Sequence, residues 1–290
     1  MNNIKIYEHP NVEFTNLIFA FSGWSDANGT ATKAVQFLIE KTKAKKFAEI
    51  HAENFYDFSI VRPNMKFDKS NNRILEWPKN EFYYSTDEST KGLMFFLGVE
   101  PNLKWKTFSS SISTFCSDFK IKMMISLGAL LDSVPHTRPI KISGRFSNQH
   151  LKDRMEWLGV KDSQYEGPTG INTVLMQESI EKNGQHVSLW GHTPHYVTSS
   201  TNPNVTLALL NRVMHLAEFE LDVQKFIDEG NRFVDRVNGA IEIQGEIKSY
   251  VQKLEQAYDL DFRTTTDIPS SETMIEELEK FLNNQMPNNE

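Results

Sequence analysis

Short apolar runs alternate with amphipathic stretches through about the first 205 residues. The run NLIFAFSG (16–23) ends in glycine and is typical of a buried strand. The following stretch (28–43) places Ala34, Val35 and Leu38 on one helical face. Strands separated by helical patterns favour a mostly parallel sheet with helices on both faces. Further elements are predicted as strands at 47–53, 92–98, 121–128, 138–145 and 185–191, a helix at 105–119, and a hairpin over 72–86 that turns at Pro78-Lys79-Asn80.

The period of the pattern changes after residue 217. Apolar and small residues step by four and three from Phe219 to Tyr258, which is typical of the seam of a packed long helix. Gly239 and Gly245 weaken this repeat, so we expect a bend or break near 239–245. A further helix is predicted over 268–282, with Ser270 or Ser271 as its N-cap. We therefore predict two domains, an α/β sandwich domain at 1–217 and a C-terminal helical region at 218–290 that packs on it or on a neighbouring subunit.

Charge is distributed unevenly along the chain. The net charge is −7, and residues 218–290 alone contain 7 Lys/Arg and 17 Asp/Glu. This acidic region argues against nucleic-acid binding and is typical of a solvated helical surface. No apolar run approaches about 18 residues, so no membrane span is expected. The start MNNIKIYEHP has no basic region followed by an apolar stretch, and Cys116 is the single cysteine, so we expect a cytoplasmic protein without a signal peptide or an internal disulfide.

Five loops with unusual composition follow apolar runs, at 22–29, 98–105, 128–139, 166–170 and 191–203. In an open parallel sheet, ligands and partners bind at the carboxyl ends of the strands. Two of these loops contain a Pro-His pair, and the rigid proline would orient each histidine. The two turns are therefore predicted to form two walls of one crevice. The candidate binding residues at this edge are Trp24, Asp26, Glu100, His136, Arg138, His195 and Tyr196.

The loop motifs resemble a known family. FSGWSDANGTAT, FYDFSIVRP, GVEPNLKW, SLGALLDSVPHTRP, YEGPTGI and SLWGHTPHYV follow, in order, the pattern of the proteasome assembly chaperone two family in its longer prokaryotic form. The likeness covers about residues 4 to 258. It implies an α/β/α sandwich similar to the nucleoside phosphorylase/hydrolase class, and a cytoplasmic homo-oligomer, with trimers among the long forms. Eukaryotic relatives bind 20S proteasome α-subunits during ring assembly, and some prokaryotic members are labelled as ATP-grasp ligases.

One feature departs from the family pattern. Archaeal relatives that grip proteasome rings can end in a hydrophobic-tyrosine-any tail, whereas this sequence ends NNQMPNNE. We therefore do not expect docking through the C-terminus.

Each candidate residue also has a structural interpretation. Asp26 is either a catalytic carboxylate or a cap of the helix that follows. The glycines of its loop could cradle phosphate, but the loop lacks both GxGxxG and GxxxxGK[ST]. His136 and Arg138 either bind an anion or hydrogen-bond to the loop itself. Glu100 either lies where a substrate carboxylate could lie or pairs with Arg138. For His195 and Tyr196 the alternative is a structural or subunit-interface position. For Trp24 it is a core or interface position.

Motifs for common catalytic centres are absent from the sequence. There is no HxxxH, HExxH or cysteine pair for a metal, and Ser22, Ser25 and Ser126 do not lie in GxSxG. Cys116 fits a buried small apolar residue better than a nucleophile. We predict no catalytic residue, no metal and no cofactor.

Two function classes follow from these observations. The first is a non-catalytic assembly-chaperone-like or scaffold protein, a homo-oligomer with a trimer favoured, which binds another complex, with a proteasome-like complex as the possible partner. The alternative is an enzyme on a phosphorylase-like or ATP-grasp-labelled scaffold, which acts on a small anionic or nucleotide-like substrate at the His136/Arg138/His195 crevice. We favour the first class and leave the enzyme open.

Overall fold

The computed structural model describes residues 3–198, 200–242 and 245–266, with the backbone only for 261–266. The chain divides into two compact units, Met1–Ala240 and Ile241–Glu290. The strands are β1 (Ile4–Ile6), β2 (Asn16–Ser22), β3 (Lys45–Ile50), β4 (Asn64–Phe67), β5 (Arg73–Glu76), β6 (Glu81–Tyr84), β7 (Leu93–Val99), β8 (Met123–Asp132), β9 (Ile142–Phe146), β10 (Val160–Asp162) and β11 (Gln185–Pro194). The helices are α1 (Thr30–Lys41), α2 (Trp105–Asp118), α3 (Gln149–Trp157), α4 (Ile171–Glu181), α5 (Pro203–Ala217), α6 (Gln224–Glu242) and α7 (Gly245–Thr266).

Nine strands form the central sheet, in the order β1-β3-β6-β7-β2-β8-β11-β9-β10. The four strands β7, β2, β8 and β11 are parallel, and β9 is antiparallel to β11. The carboxyl ends of the four parallel strands therefore meet at one edge of the sheet, which we call the carboxyl edge.

Helices cover both faces of this sheet. Strand β2 is buried along most of its length, and its side chains alternate between two cores. Ile18 and Ala20 pack with residues of α1, α3 and α5, whereas Leu17 and Phe19 pack with residues of α2 and α4. The predicted three-layer α/β/α sandwich with a C-terminal helix is confirmed.

The predicted hairpin over 72–86 is wrong. Strand β5 pairs with β4 in a separate two-stranded sheet, whereas β6 joins the central sheet between β3 and β7. The turn before β5 is closed by Asp68, whose carboxylate accepts hydrogen bonds from the backbone N–H groups of Ser70 and Asn72. Strand β6 buries Phe82 in the main core. This burial places β6 in the central sheet, apart from β5.

Helix α5 is not among the predicted elements, although its start follows a standard rule. The Asn202 side chain accepts hydrogen bonds from the N–H groups of Asn204 and Val205, and Pro203 is its first residue. The heptad pattern after 217 is covered by α6 and α7. Residues 243 and 244 and the predicted helix at 268–282 lie outside the described residues, so the break near 239–245 stays a prediction.

Candidate functional site at the carboxyl edge of the sheet

The two Pro-His turns contact each other at the carboxyl edge. Strands β8 and β11 are paired as far as Asp132 and Pro194. Just beyond that pair, His195 donates to the carbonyl oxygen of Asp132 twice, from its backbone N–H (3.1 Å) and from Nδ1 (3.0 Å). This places the turn that carries His195 against the one that leads to His136.

His136 is buried and both of its ring nitrogens have partners. The Tyr196 hydroxyl accepts from the His136 backbone N–H (2.9 Å) and donates to Nδ1 (2.8 Å). The hydrogen on Nε2 then points to Oδ1 of Asn238 on α6 (2.9 Å). These bonds select the Nε2–H tautomer of His136. They join the turn that carries His136 to the turn that carries Tyr196 and to α6. Arg138 lies in the same turn and is half-buried.

Asp26 is buried beneath the start of α1. Its Oδ1 accepts from the backbone N–H groups of Ala31 (2.7 Å) and Thr32 (3.1 Å), and its Oδ2 accepts from the Thr32 hydroxyl. Burial raises the pKa of Asp26 above its ordinary value, while these three hydrogen bonds act in the opposite direction. Because the carboxylate oxygens are engaged with the first turn of the helix, the geometry agrees with the capping interpretation.

Glu100 joins the loops after β2 and β7 to the start of α4. Its two carboxylate oxygens accept from the backbone N–H groups of Trp24 (3.3 Å) and Ile171 (2.9 Å). Among the described residues these are its partners, rather than Arg138. A Cβ at Gly170 would lie 2.9 Å from Oε1 of Glu100, so a side chain there would disturb this contact. Trp24 is 60% exposed beside this group.

The loop at 22–29 connects these groups along the edge. The backbone N–H of Ala129 on β8 donates to the Ser25 carbonyl (2.9 Å), and the Asn28 amide donates to the Val197 carbonyl (3.1 Å).

All seven candidate residues therefore lie at the carboxyl edge. Tyr196 contacts both His136 and His195, whereas Trp24 and Glu100 form a separate group against α4. Their binding role stays a prediction.

Sequence reasoning missed a partly buried chain of hydrogen bonds at the same edge. Nδ1 of His192 on β11 donates to Oδ2 of Asp132 on β8 (2.7 Å), and its Nε2 contacts Oγ of Ser143 on β9 (2.8 Å). The hydrogen bond from His192 holds the pKa of Asp132 well below its ordinary range. The three residues lie in no short motif. The available signal was the position of Asp132 and His192 at the ends of two neighbouring apolar strands.

The exposure of these three side chains argues against serine catalysis. In a catalytic triad the aspartate is buried and the serine hydroxyl faces the substrate. Here the order is reversed, since the Asp132 side chain is 30% exposed whereas Ser143 as a whole is 8% exposed. The chain of bonds ties together the ends of β8, β9 and β11 and presents no accessible nucleophile.

Two other reactive side chains are buried in the core. Burial lowers the pKa of His186 to about 3 and raises the pKa of the Cys116 thiol to about 12. His186 is therefore uncharged at neutral pH, with Nε2 beside the Ser126 hydroxyl (3.1 Å).

No group of three or more His, Cys, Asp or Glu suited to a metal ion occurs among the described residues. Within the same residues, no helix has the length and apolar character needed to cross a membrane.

Comparison with known proteins assigns a family to this architecture. The model of the PAC2 family matches residues 20–241. No curated protein matches the chain.

Solved structures share the fold. A PAC2 family protein from Streptomyces avermitilis is 32% identical, with a TM-score of 0.74, over 82% of this chain and 99% of that one. A proteasome-assembly chaperone homologue from Mycobacterium tuberculosis is 29% identical, with a TM-score of 0.74, over 82% of this chain and 100% of that one. The archaeal proteasome activator PbaB from Pyrococcus furiosus, at 19% identity, shares the fold with a TM-score of 0.63 over 83% of this chain and 99% of that one.

Proposed function

The chain belongs to the PAC2 family, and from that premise we propose that it is a non-catalytic, assembly-chaperone-like protein that binds subunits of a larger complex. The observation that carries the proposal is its 29% identity, over 82% of its length, to a proteasome-assembly chaperone homologue. The family predicted from the loop motifs is confirmed by the match over residues 20–241. The partner in this proposal is a proteasome-like complex in the cytoplasm.

The contacts at the carboxyl edge support a binding surface more than a reaction centre. Asp26, Glu100 and His136 are each held by hydrogen bonds to neighbouring loops or helices. Such bonds make the loops rigid, and a rigid surface loses little conformational entropy when a partner binds. Exposed Trp24 is the side chain at this edge best suited to anchor a partner, because tryptophan is enriched among residues that dominate interface energy.

The acting form in this proposal is a homo-oligomer, and a trimer is favoured by the family resemblance. An oligomer presents several copies of the carboxyl edge at once. Several copies increase the avidity for a multi-subunit ring without any new type of contact.

Affinity capture tests the proposed function. The tagged full-length chain is incubated with lysate of the organism that makes it, and bound proteins are identified by mass spectrometry. We expect subunits of a proteasome-like ring to be enriched by the wild-type chain and at least tenfold less by Trp24→Ala. The matched control is Trp157→Ala, since Trp157 is also exposed but lies on α3. Failure of the wild-type chain to enrich ring subunits would refute the proposal.

The enzyme alternative has no specific support at this site. The rings of His136 and His195 are engaged in hydrogen bonds within the chain, and the Asp132–His192–Ser143 chain presents no accessible hydroxyl.

A further inference from the structure

A cleft lies beside the carboxyl edge, within the first compact unit. It is formed by α6, the first turn of α1 and the loop that leads from β11 into α5, and it has a volume of about 700 Å³. Small-molecule sites in proteins typically measure about 300–1,000 Å³. The described residues that line the cleft include none of the seven candidate residues at the carboxyl edge, so it is separate from that group.

Contacts within the chain hold the walls of this cleft in place. Phe226 of α6 packs edge-to-face on Phe37 of α1, with ring centres 4.9 Å apart. The Asn204 amide of α5 donates to the carbonyl oxygen of Gly230 on α6 (3.3 Å). A preformed cleft of this kind loses little conformational entropy when a ligand binds.

Three cationic side chains line the cleft from two helices. Lys33 lies on α1, and Arg232 and Arg236 lie one turn apart on α6. Like charges one turn apart on a helix repel each other, and among the described residues none of the three cations is paired with a carboxylate. An anion bound between them would relieve this repulsion. Arginine presents paired N–H donors that match the oxygens of a phosphate, and lysine adds a point charge, so these side chains favour a phosphoryl group.

Hydrogen-bond acceptors line the same cleft. Glu229 and Asp235 contribute two carboxylates, which leave a net charge of +1 on the lining side chains. The Thr201 hydroxyl donates its hydrogen to the carbonyl oxygen of Asn28 (2.8 Å), so its oxygen is left as an acceptor. These groups repel a bare anion but can accept from the hydroxyl groups of a sugar, as carboxylates do in dinucleotide sites. The ligand should therefore combine a phosphate with hydroxyl groups.

We propose that this cleft binds a phosphate monoester that carries hydroxyl groups, either a sugar phosphate or the sugar-phosphate part of a nucleotide. Lys33, Arg232 and Arg236 hold the phosphate. Glu229 and Asp235 accept from the hydroxyl groups. The cleft does not include Trp24, so this inference and the proposed binding of ring subunits can fail independently.

Isothermal titration calorimetry of the full-length chain tests the ligand class. The probes are ribose 5-phosphate, AMP, inorganic phosphate and ribose. We expect both monoesters to bind, inorganic phosphate to bind at least tenfold more weakly than ribose 5-phosphate, and ribose to show no binding. Tighter binding of AMP would assign the site to a nucleotide, and equal binding would assign it to a sugar phosphate.

Substitutions test the residues. Arg232→Gln, Arg236→Gln and Lys33→Gln should each weaken binding of ribose 5-phosphate about tenfold, as expected for loss of a hydrogen bond between charged groups. Arg236→Lys keeps the charge but loses the paired donors, so it should weaken binding less than Arg236→Gln. Glu229→Gln should strengthen binding of inorganic phosphate, because it removes a repulsive charge. The matched control is Lys225→Gln, which removes an exposed cation from α6 outside the cleft and should leave binding within twofold of wild type.

Three results would overturn the inference. The first is a wild-type chain that binds neither monoester. The second is unchanged binding by the arginine and lysine variants of the cleft, with circular dichroism showing that they are folded. The third is an equal loss in Lys225→Gln, which would indicate attraction to the overall charge of α6 rather than a site.

Discussion

Single polar side chains at the carboxyl edge act mainly by joining one loop to another. Asp132 illustrates this, because it connects β8 to His192 and accepts at its carbonyl oxygen from His195. A carboxylate that accepts from a histidine is stabilised in its charged form. The loops at this edge are therefore ordered by a few charged and hydrogen-bonded groups.

Replacing Asp132 tests this role. We expect Asp132→Asn to lower the free energy of unfolding by about 1–2 kcal/mol at pH 7, near the low end for a hydrogen bond to a charged group because Asp132 is partly exposed. The pKa of Asp132 is lowered in the folded protein, so its contribution is fully present above the ordinary pKa of 3.8 and is lost as pH falls through the lower folded value. Urea denaturation should show a smaller difference in the free energy of unfolding between variant and wild type at pH 3 than at pH 7. Asp153→Asn is the control, since among the described residues the Asp153 carboxylate accepts a hydrogen bond from exposed Gln149 alone.

Cys116 provides a second test at the scale of one residue. Burial raises the pKa of its thiol to about 12, so its thiolate fraction at pH 8 should be roughly a thousandfold below that of an ordinary exposed cysteine. We expect iodoacetamide to modify the native protein very slowly and the protein in guanidinium at the ordinary rate. Modification of the native protein at a rate within tenfold of the unfolded one would contradict the buried position.

At the scale of elements, α6 packs against both α1 and α5. Phe226 of α6 packs edge-to-face on Phe37 of α1, with ring centres 4.9 Å apart. The carbonyl oxygen of Gly230 accepts a hydrogen bond from the Asn204 amide (3.3 Å). The helix that follows the sandwich in sequence is therefore part of the packing of the first unit.

Two glycines of α6 give a matched pair of substitutions. A Cβ at Gly230 would lie 2.0 Å from Oδ1 of Asn204, whereas a Cβ at Gly239 would meet no atom within 4 Å. We expect Gly230→Ala to destabilise the protein by about 1–3 kcal/mol through overpacking. Gly239→Ala should be neutral or stabilise the protein by up to about 1 kcal/mol, because alanine favours the helix. Denaturant unfolding of both variants measures the difference in their free energies of unfolding. Equal effects would show that the close approach of α6 and α5 does not contribute to stability.

Several elements could be predicted from the sequence because one local pattern decided the outcome. The buried strands β2, β7 and β8 were recognisable because each is a short apolar run bounded by turn residues. The partner of β6 could not be predicted in this way. Residues 72–86 satisfy the local rules for a hairpin, and only the burial of Phe82 in the core directs β6 into the central sheet.

At the scale of the whole molecule, the arrangement favours binding over chemistry. We expect no hydrolase or ligase turnover above buffer with nucleotides or common anions, because Ser126 and Ser143, which lie beside histidines, are both buried. Steady-state assays with the full-length chain provide the measurement, and Arg138→Ala is the matched variant. Robust turnover that this variant abolishes would replace the binding interpretation with the enzyme alternative.

The sequence by itself determined the fold class, the family and the set of loops at the carboxyl edge, because these depend on local periodicity and on motifs that are each contiguous in the chain. The tertiary structure alone decided which polar side chains meet there. Asp132, Ser143 and His192 are separated by up to 60 residues, and they come together only because β8 and β9 both pair with β11. The exposed face of the β4–β5 hairpin was likewise decided by strand pairing, since register sets which side chains share a face and packing sets which face is covered.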